Sequence, residues 1–240
     1  MYNSLITRVV SLTIIAVVLL FMGGCREKGV SDISIETIEE ETDISRVYAE
    51  YAVLGGINPS ETDIEFNSEF QTGTETAIEE FLRQVEENKD AIRQGNKGIL
   101  EIKYNVHNNS SDFISIVEER YNYIGGAHGN TEWIAHNIDT TTGQRVMLSD
   151  LFSDEGYRET LKRCIDEIME ANKDEYKDLW SPPEIDDGSE TDFYISDGRL
   201  ILYYPPYELS YFARGVVEFP IHLSEIQGYM KEEYKQRLVL

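Results

Sequence analysis

The stretch YNYIGGAHGNTEW contains the histidine whose surroundings most resemble a chemical site. A strand-like alternation breaks at Gly125 and Gly126, continues through His128, Gly129 and Asn130, and then resumes. His128 could ligate a metal ion or transfer a proton. Alternatively, three glycines in five positions let the backbone adopt positive φ angles and approach a neighbouring strand closely, as at a bulge or a tight link.

The other histidines are poorly spaced to complete a site with His128. His136 lies eight residues further on, His107 falls in another predicted strand, and His222 is remote. No HExxH, CxxC or acid triplet accompanies them, and no Gly-x-Ser-x-Gly elbow supports a serine-type triad. With 45 acidic residues, carboxylate pairs occur by chance. The sequence therefore predicts no catalytic residue, no metal and no cofactor, and it favours a structural turn at 125–130.

A second segment, YYPPYELSYF, holds five aromatic residues and two prolines in ten positions. Proline stiffens a loop and so limits the ordering entropy lost on binding, while exposed tyrosine is common at protein interfaces and stacks on sugar rings. The alternative is that Tyr203 and Tyr207 face a core and the prolines only end a strand. The candidate ligand-binding residues are Tyr203, Tyr204, Pro205, Pro206, Tyr207, Tyr211 and Phe212.

The composition restricts the class of partner. The 240 residues are enough for one large or two small domains, and they carry a formal net charge of -24 at pH 7. Such a chain repels phosphate groups, so we expect no nucleic acid partner. It attracts cationic partners and raises their association rate more than their affinity. The alternative is that the acidity only maintains solubility.

The first 25 residues have the pattern of a lipoprotein signal peptide. They contain one arginine, no acid and an apolar run from Val9 to Met22, which is shorter than the roughly 20 residues that span a bilayer. The following Gly-Gly-Cys resembles a lipobox, so we expect acylation of Cys25 and a lipid anchor in the cell membrane. The alternative is an uncleaved membrane anchor. The acidic residues 26–45 are expected to be an extended tether that holds a domain at the outer face of the cytoplasmic membrane.

Periodicity predicts an α+β fold in which helices cover an antiparallel sheet. Strands are predicted at 46–57, 98–109, 112–124, 130–139, 191–196, 199–204 and 215–221, and helices at 75–94, 153–176 and 223–236. Short connections favour an antiparallel meander over the central three strands, and Asp197-Gly198 predicts a tight hairpin. Cys164 falls on the apolar stripe of the second helix, which indicates a buried thiol.

The predicted helix ends rest on local capping signals. A capping box is expected at Thr72 or at Thr76, and Gly95 is the expected stop of the first helix. Ser153 and Ser224 are the expected N-caps of the second and third helices. Around Ser153, Phe152 and Tyr157 are spaced as a hydrophobic staple.

These motifs together resemble a known extracytoplasmic family. The segments YIGGAHGN, NIDTTTGQRVMLSDLF and TDFYISDGRLILYYPPYELSYFARGVVEFPIHLSEI are similar to the domain of RsiV-type anti-sigma factors that respond to lysozyme. The same domain accompanies the catalytic domain of PdaC-type polysaccharide deacetylases. The YAVLGGI strand and the first helix look like the smaller module that precedes it in both. The resemblance covers roughly residues 46–228, and it implies a small N-terminal module at 46–110 and a larger domain at 111–240.

The resemblance implies a membrane-tethered, non-catalytic binding lipoprotein. Its expected ligand is a lysozyme-like cationic protein, recognised by a sensor or a decoy. We expect neither sigma-factor inhibition nor deacetylation, because the sequence shows no sigma-binding segment and no deacetylase domain. The alternative is a module that binds peptidoglycan or another wall glycan through the aromatic loop, and an enzyme acting on wall polymer is the least favoured interpretation.

Overall fold

The computed structural model describes residues 32–56, 59–90, 92, 96–185 and 191–239. The described chain forms two β-sheets with helices packed against them, which confirms the α+β prediction. The predicted signal peptide and its lipidation site, Cys25, lie outside the described residues. Within those residues, no helix combines the length and the apolar character needed to cross a membrane.

The larger sheet has six strands in the order β1-β2-β3-β4-β5-β6. They are β1 (Ile33–Glu41), β2 (Ser45–Leu54), β3 (Gly98–Asn109), β4 (Ile114–Tyr123), β5 (Asn130–Asp139) and β6 (Gln144–Arg145). The predicted antiparallel meander over β3, β4 and β5 is confirmed. Strands β2 and β3 pair in parallel, because helix α1 (Glu61–Glu87) carries the chain back across the sheet between them.

The predicted acidic tether is wrong for its C-terminal half. From Ile33 onward this segment is strand β1, which pairs antiparallel with β2 from Ile33 opposite Leu54 to Glu41 opposite Arg46. Ile33 and Ile38 pack against the core beneath α1. The backbone ladder and these apolar contacts outweigh the repulsion among the glutamates, of which Glu39, Glu40 and Glu41 are exposed to solvent.

Helix α1 begins 14 residues before the predicted start, at Glu61 instead of residue 75. Its N-cap is Ser60, whose hydroxyl accepts from the Asp63 N–H while the Asp63 carboxylate accepts from the Ser60 N–H. The expected capping boxes at Thr72 and Thr76 therefore lie inside the helix. Five aromatic and aliphatic side chains form its buried stripe, namely Phe66, Phe70, Ile78, Phe81 and Val85.

The smaller sheet has three antiparallel strands in the order β7-β8-β9, with four helices in the same half of the chain. The strands are β7 (Phe193–Ser196), β8 (Arg199–Tyr204) and β9 (Val217–His222), and the helices are α2 (Tyr157–Ala171), α3 (Lys173–Tyr176), α4 (Leu223–Ile226) and α5 (Glu232–Leu238). The predicted hairpin at Asp197-Gly198 is confirmed by positive φ angles of 48° and 70°. Cys164 is buried in the core between α2 and this sheet, as expected.

Two expected caps in this half are wrong. Helix α2 begins at Tyr157 after Gly156, and the Ser153 hydroxyl instead donates to the backbone carbonyl of Tyr229 at 3.0 Å. The closing helix is two short helices, with Ser224 inside α4, because the chain turns between them to pair Met230 with Phe152. The predicted aromatic contact does form: the Phe152 and Tyr157 rings stack with centroids 4.1 Å apart.

The two sheets meet where β7 packs against β3, β4 and β5. The Ser115 hydroxyl donates to Asn137 Oδ1 at 2.6 Å and accepts from the Ile195 N–H at 3.0 Å. Asn137 Nδ2 donates to the Phe193 carbonyl at 2.8 Å. Ser115 and Asn137 are both buried, so these hydrogen bonds join the sheets in a region without solvent. The larger sheet is continuous across residue 110, the boundary expected between the N-terminal module and the larger domain.

We expect the Asn137→Ala variant to be destabilised by about 1–3 kcal/mol, because it leaves the buried Phe193 carbonyl and Ser115 hydroxyl without this partner. Urea unfolding of the full chain measures the change. The matched control is Asn130→Ala, since Asn130 is exposed and has no side-chain hydrogen bond within the described residues. Equal stability of the two variants would contradict the proposed role of the junction.

Candidate functional site

The two segments singled out in the sequence meet on one surface. The His128 ring from the β4–β5 turn stacks on the Phe212 ring from the loop after β8, with centroids 4.3 Å apart and planes at 18°. Tyr207 Oη lies 3.3 Å from His128 Nε2. Ring contacts join His128, Tyr207 and Phe212. We define the aromatic face by these three residues together with exposed Tyr211 of the same loop and exposed Trp180, whose backbone is hydrogen-bonded to that loop. The turn and the loop are separate predictions from the sequence, because nothing in the chain indicates that they are neighbours.

The hydrogen bonds of His128 define its tautomer. Nδ1 lies 2.7 Å from the carbonyl oxygen of Gly129, and because a carbonyl only accepts, Nδ1 carries the proton. In the tautomer with the proton on Nδ1, Nε2 accepts from the Tyr207 hydroxyl. His128 thus orients Tyr207 as well as supporting Phe212, and it is occupied by these contacts.

The glycines of the turn meet two separate steric demands. Gly125 and Gly126 have φ angles of 106° and 102°, which L side chains rarely adopt. Gly129 is buried, and a Cβ atom there would lie 2.4 Å from the Tyr121 ring. Backbone conformation therefore explains Gly125 and Gly126, and the close approach of the Tyr121 ring explains Gly129.

Three of the five residues of the aromatic face are large and exposed. The exposed fractions are 53% for Tyr207, 45% for Tyr211 and 61% for Trp180. Trp180 is not among the residues predicted from the sequence, although its position just before the proline pair at 182–183 was an available signal. The Trp180 N–H donates to the Leu209 carbonyl at 2.9 Å, which fixes the segment after α3 against the aromatic loop.

Tyr203 and Tyr204 are buried, so their prediction as ligand-binding residues is wrong. They are only 1% and 7% exposed, because β8 is the central strand of its sheet and is covered on both faces. The Tyr203 hydroxyl accepts from the Ala135 N–H at 3.0 Å, and its ring packs near Trp133. The alternative that the loop faces a core therefore holds for Tyr203 and not for Tyr207. Pro205 and Pro206 are half-buried at the base of the loop.

Tyr207 has a strained backbone that the loop itself maintains. Its φ angle is 76°, which is uncommon for a residue other than glycine. The Tyr207 N–H donates to the Ser210 carbonyl at 3.0 Å, and the Glu208 N–H donates to the Pro205 carbonyl at 3.2 Å. The tight turn directs the Tyr207 side chain towards His128.

Two acidic residues, Asp178 and Glu208, lie next to the exposed tyrosines of the aromatic face. The Tyr211 hydroxyl donates to an Asp178 carboxylate oxygen at 3.3 Å, and the Ser210 hydroxyl donates to the Asp178 carbonyl at 2.9 Å. Glu208 lies beside Tyr207, and burial raises the pKa of its carboxyl group. These two carboxylates beside Tyr207 and Tyr211 suit a partner with cationic groups.

The remaining histidines are used in structural contacts or lie elsewhere. Buried His136 lies with Nε2 3.1 Å from Glu118 and Nδ1 2.9 Å from Arg145, and His107 packs against the Tyr194 ring. In the described part of the chain, no group of three or more His, Cys, Asp or Glu side chains is placed to hold a metal ion.

Comparison with known proteins finds relatives that match both halves of the chain. The family model described as "Deacetylase PdaC" matches residues 38–131, and the model described as "Protein of unknown function (DUF3298)" matches residues 149–224. The chain is 26% identical over 216 residues to the anti-sigma-V factor RsiV of Bacillus subtilis, covering 86% of this chain and 73% of RsiV. The resemblance inferred from the sequence is confirmed.

The peptidoglycan-N-acetylmuramic acid deacetylase PdaC of Bacillus subtilis is 24% identical over 177 residues, which cover 70% of this chain but only 38% of PdaC. Two solved structures of DUF3298 family proteins share the fold. The protein from Bacteroides fragilis has a TM-score of 0.66 at 17% identity and covers 86% of this chain and 96% of its own. The protein from Pseudomonas aeruginosa has a TM-score of 0.57 at 16% identity and covers 84% and 95%.

We expect Gly129→Ala to lower the free energy of unfolding by about 1–3 kcal/mol, since its methyl group would overlap the Tyr121 ring. Chemical denaturation measures the loss. Gly73→Ala is the matched control, because a Cβ atom there meets nothing within 4 Å and the residue lies inside helix α1. That variant is expected to gain about 0.5–1 kcal/mol. Destabilisation by both changes, or by neither, would contradict a specific steric requirement for glycine at residue 129.

Proposed function

We propose that this protein is a non-catalytic, extracytoplasmic binding lipoprotein that recognises a lysozyme-like cationic protein through the aromatic face. The observation that carries the proposal is the contact between the β4–β5 turn and the aromatic loop. His128, Tyr207 and Phe212 hold one another in place, so the exposed Tyr207 ring is ordered before a partner arrives. Preordered aromatic side chains lose little entropy on binding and are common at the centres of protein interfaces.

The charge of the chain supports a cationic partner. With 45 acidic and 21 basic residues, the protein attracts basic proteins over a distance set by the ionic strength. Asp178 and Glu208 extend this field to the aromatic face. Charge then steers the encounter, while Trp180, Tyr207 and Tyr211 supply the apolar contact area.

The similarity to an anti-sigma factor supports a role in sensing or binding. We infer that this protein acts as a sensor or a decoy for the cationic partner. We further infer that Cys25 is lipidated and holds the domain at the outer face of the cytoplasmic membrane. The second candidate ligand is a wall glycan stacked on the same rings, which the similarity to a peptidoglycan deacetylase favours.

We expect the Tyr207→Ala/Tyr211→Ala variant to bind hen egg-white lysozyme about 10–100-fold more weakly than the unchanged chain, because it removes two exposed rings from the interface. Calorimetry on the full chain at two salt concentrations measures the dissociation constant. Binding is expected to weaken with added salt, since screening reduces the charge attraction.

The control variant is Ile64→Ala, which removes a side chain of similar exposure, 55%, from helix α1. It is expected to bind lysozyme like the unchanged protein. Absence of lysozyme binding at low salt would contradict the proposal. Salt-insensitive binding to insoluble cell wall, lost in the double tyrosine variant, would favour the glycan alternative.

If Cys25 carries the lipid, we expect the Cys25→Ser variant to incorporate no fatty acid. The thiol is the only group in the Gly-Gly-Cys motif that can form a thioether to the lipid. Metabolic labelling with a fatty acid followed by gel analysis measures incorporation. Cys164→Ser is the matched control and is expected to keep the label, because Cys164 is buried. Equal labelling of the two variants would contradict lipidation at Cys25.

A further inference from the structure

One half of the larger sheet has a face that no described element covers. Helix α1 packs on the opposite face, over side chains such as Val47, Leu100 and Ile102. The smaller sheet reaches only the parts of β3, β4 and β5 that contact β7. Glu101 and Lys103 of the uncovered half are exposed. We call this surface the open sheet face.

The strand register places a regular row of side chains across the open sheet face. Glu39 lies opposite Tyr48, Tyr48 opposite Glu101, and Glu101 opposite Tyr121, so the row follows β1, β2, β3 and β4. Thr131 of β5 continues it opposite Tyr121. Because paired residues project from the same side of a sheet, carboxylates and tyrosines alternate along one line.

The spacing of the two tyrosines follows from sheet geometry. Tyr48 and Tyr121 are separated by two strand spacings, or roughly 10 Å. Both side chains are partly exposed, and the Tyr121 ring is supported from beneath by the backbone at Gly129. The Tyr48 hydroxyl donates to Glu50 at 2.7 Å, which fixes the ring. In an extended chain of β-linked sugars every second ring presents the same face, so such a chain can stack on both tyrosines.

The charges of the row select among glycans. Glu39 and Glu101 flank the Tyr48 ring, and Glu101 also lies beside Tyr121. Lys103 lies on the same face, two residues further along β3, and its ammonium forms an exposed ion pair with Glu101 at 3.7 Å, for which a ligand amine would compete. Together with the net charge of -24, this arrangement disfavours acidic polysaccharides and favours amine groups next to the stacked rings.

We propose that the open sheet face binds a linear glycan of amino sugars whose amines are free. The sugar rings stack on Tyr48 and Tyr121, and the ammonium groups pair with the carboxylates of Glu39 and Glu101. The residues of this site differ from those that define the aromatic face. A single protein could then hold wall polymer with its first half and recognise a cationic protein with its second.

The test is calorimetric titration of the full chain in detergent with a glucosamine hexamer and with an N-acetylglucosamine hexamer. We expect saturable binding of the glucosamine hexamer, about tenfold tighter than that of the acetylated one, because only the former carries ammonium groups. Tyr48→Ala is expected to weaken it about tenfold through loss of one stacking ring. Glu101→Gln preserves the shape of an exposed side chain and is expected to weaken binding of the glucosamine hexamer severalfold. This second variant tests the site even if Tyr48→Ala folds poorly.

Two controls distinguish binding at the open sheet face from general charge attraction and from binding at the aromatic face. Glu79→Gln changes an exposed glutamate of helix α1 and is expected to leave the affinity unchanged. Tyr207→Ala should also leave it unchanged while weakening lysozyme binding, so the two proposals can fail independently. Absence of binding of the glucosamine hexamer, or equal affinity for the acetylated hexamer, would overturn the proposal. So would competition by oligolysine whose own binding is unchanged in the Tyr48→Ala variant.

Discussion

The buried hydrogen bonds between Ser115, Asn137 and strand β7 are the interaction that fixes the candidate site. His128 belongs to the larger sheet, and Phe212 follows a strand of the smaller sheet. They can stack only if the two sheets keep a fixed relative position. A buried polar group without a hydrogen-bond partner is costly, so these hydrogen bonds allow only one relative position of the two sheets. A purely apolar contact would allow the sheets to slide against each other. Tyr203, which packs between the sheets, adds a further polar link to the backbone of Ala135.

Elements with clear local signals could be predicted from the sequence. Strands β3, β4 and β5 alternate regularly, and Asp197-Gly198 adopts the positive φ angles that its residue types indicate. Strand β1 was missed because its glutamates outnumber its isoleucines, and its stability comes from pairing with β2, a non-local interaction. The start of α1 was missed because Phe66 and Phe70 stand among polar residues, so that the apolar stripe was recognisable only in the second half of the helix.

The candidate site was predictable in its parts and not in its assembly. The density of aromatic residues around the loop after β8 indicated a binding surface. The sequence does not distinguish Tyr203, which is buried, from Tyr207, which is exposed. Which of them reaches solvent is decided by the end of strand β8, where the backbone turns at positive φ. The meeting of His128 with Tyr207 links residues 79 positions apart, and no local pattern encodes that distance. The proline pair after Trp180 marks a loop, but it does not indicate the backbone hydrogen bond to Leu209 that brings Trp180 to the site.

Binding of a cationic protein at the aromatic face should leave a footprint along the backbone of this chain. Hydrogen–deuterium exchange of the full chain with and without lysozyme measures that footprint without any substitution. We expect slower exchange in residues 125–130, 178–181 and 205–214, and unchanged exchange along helix α1. Protection confined to α1, or none at a lysozyme concentration that saturates the protein, would contradict binding at the aromatic face.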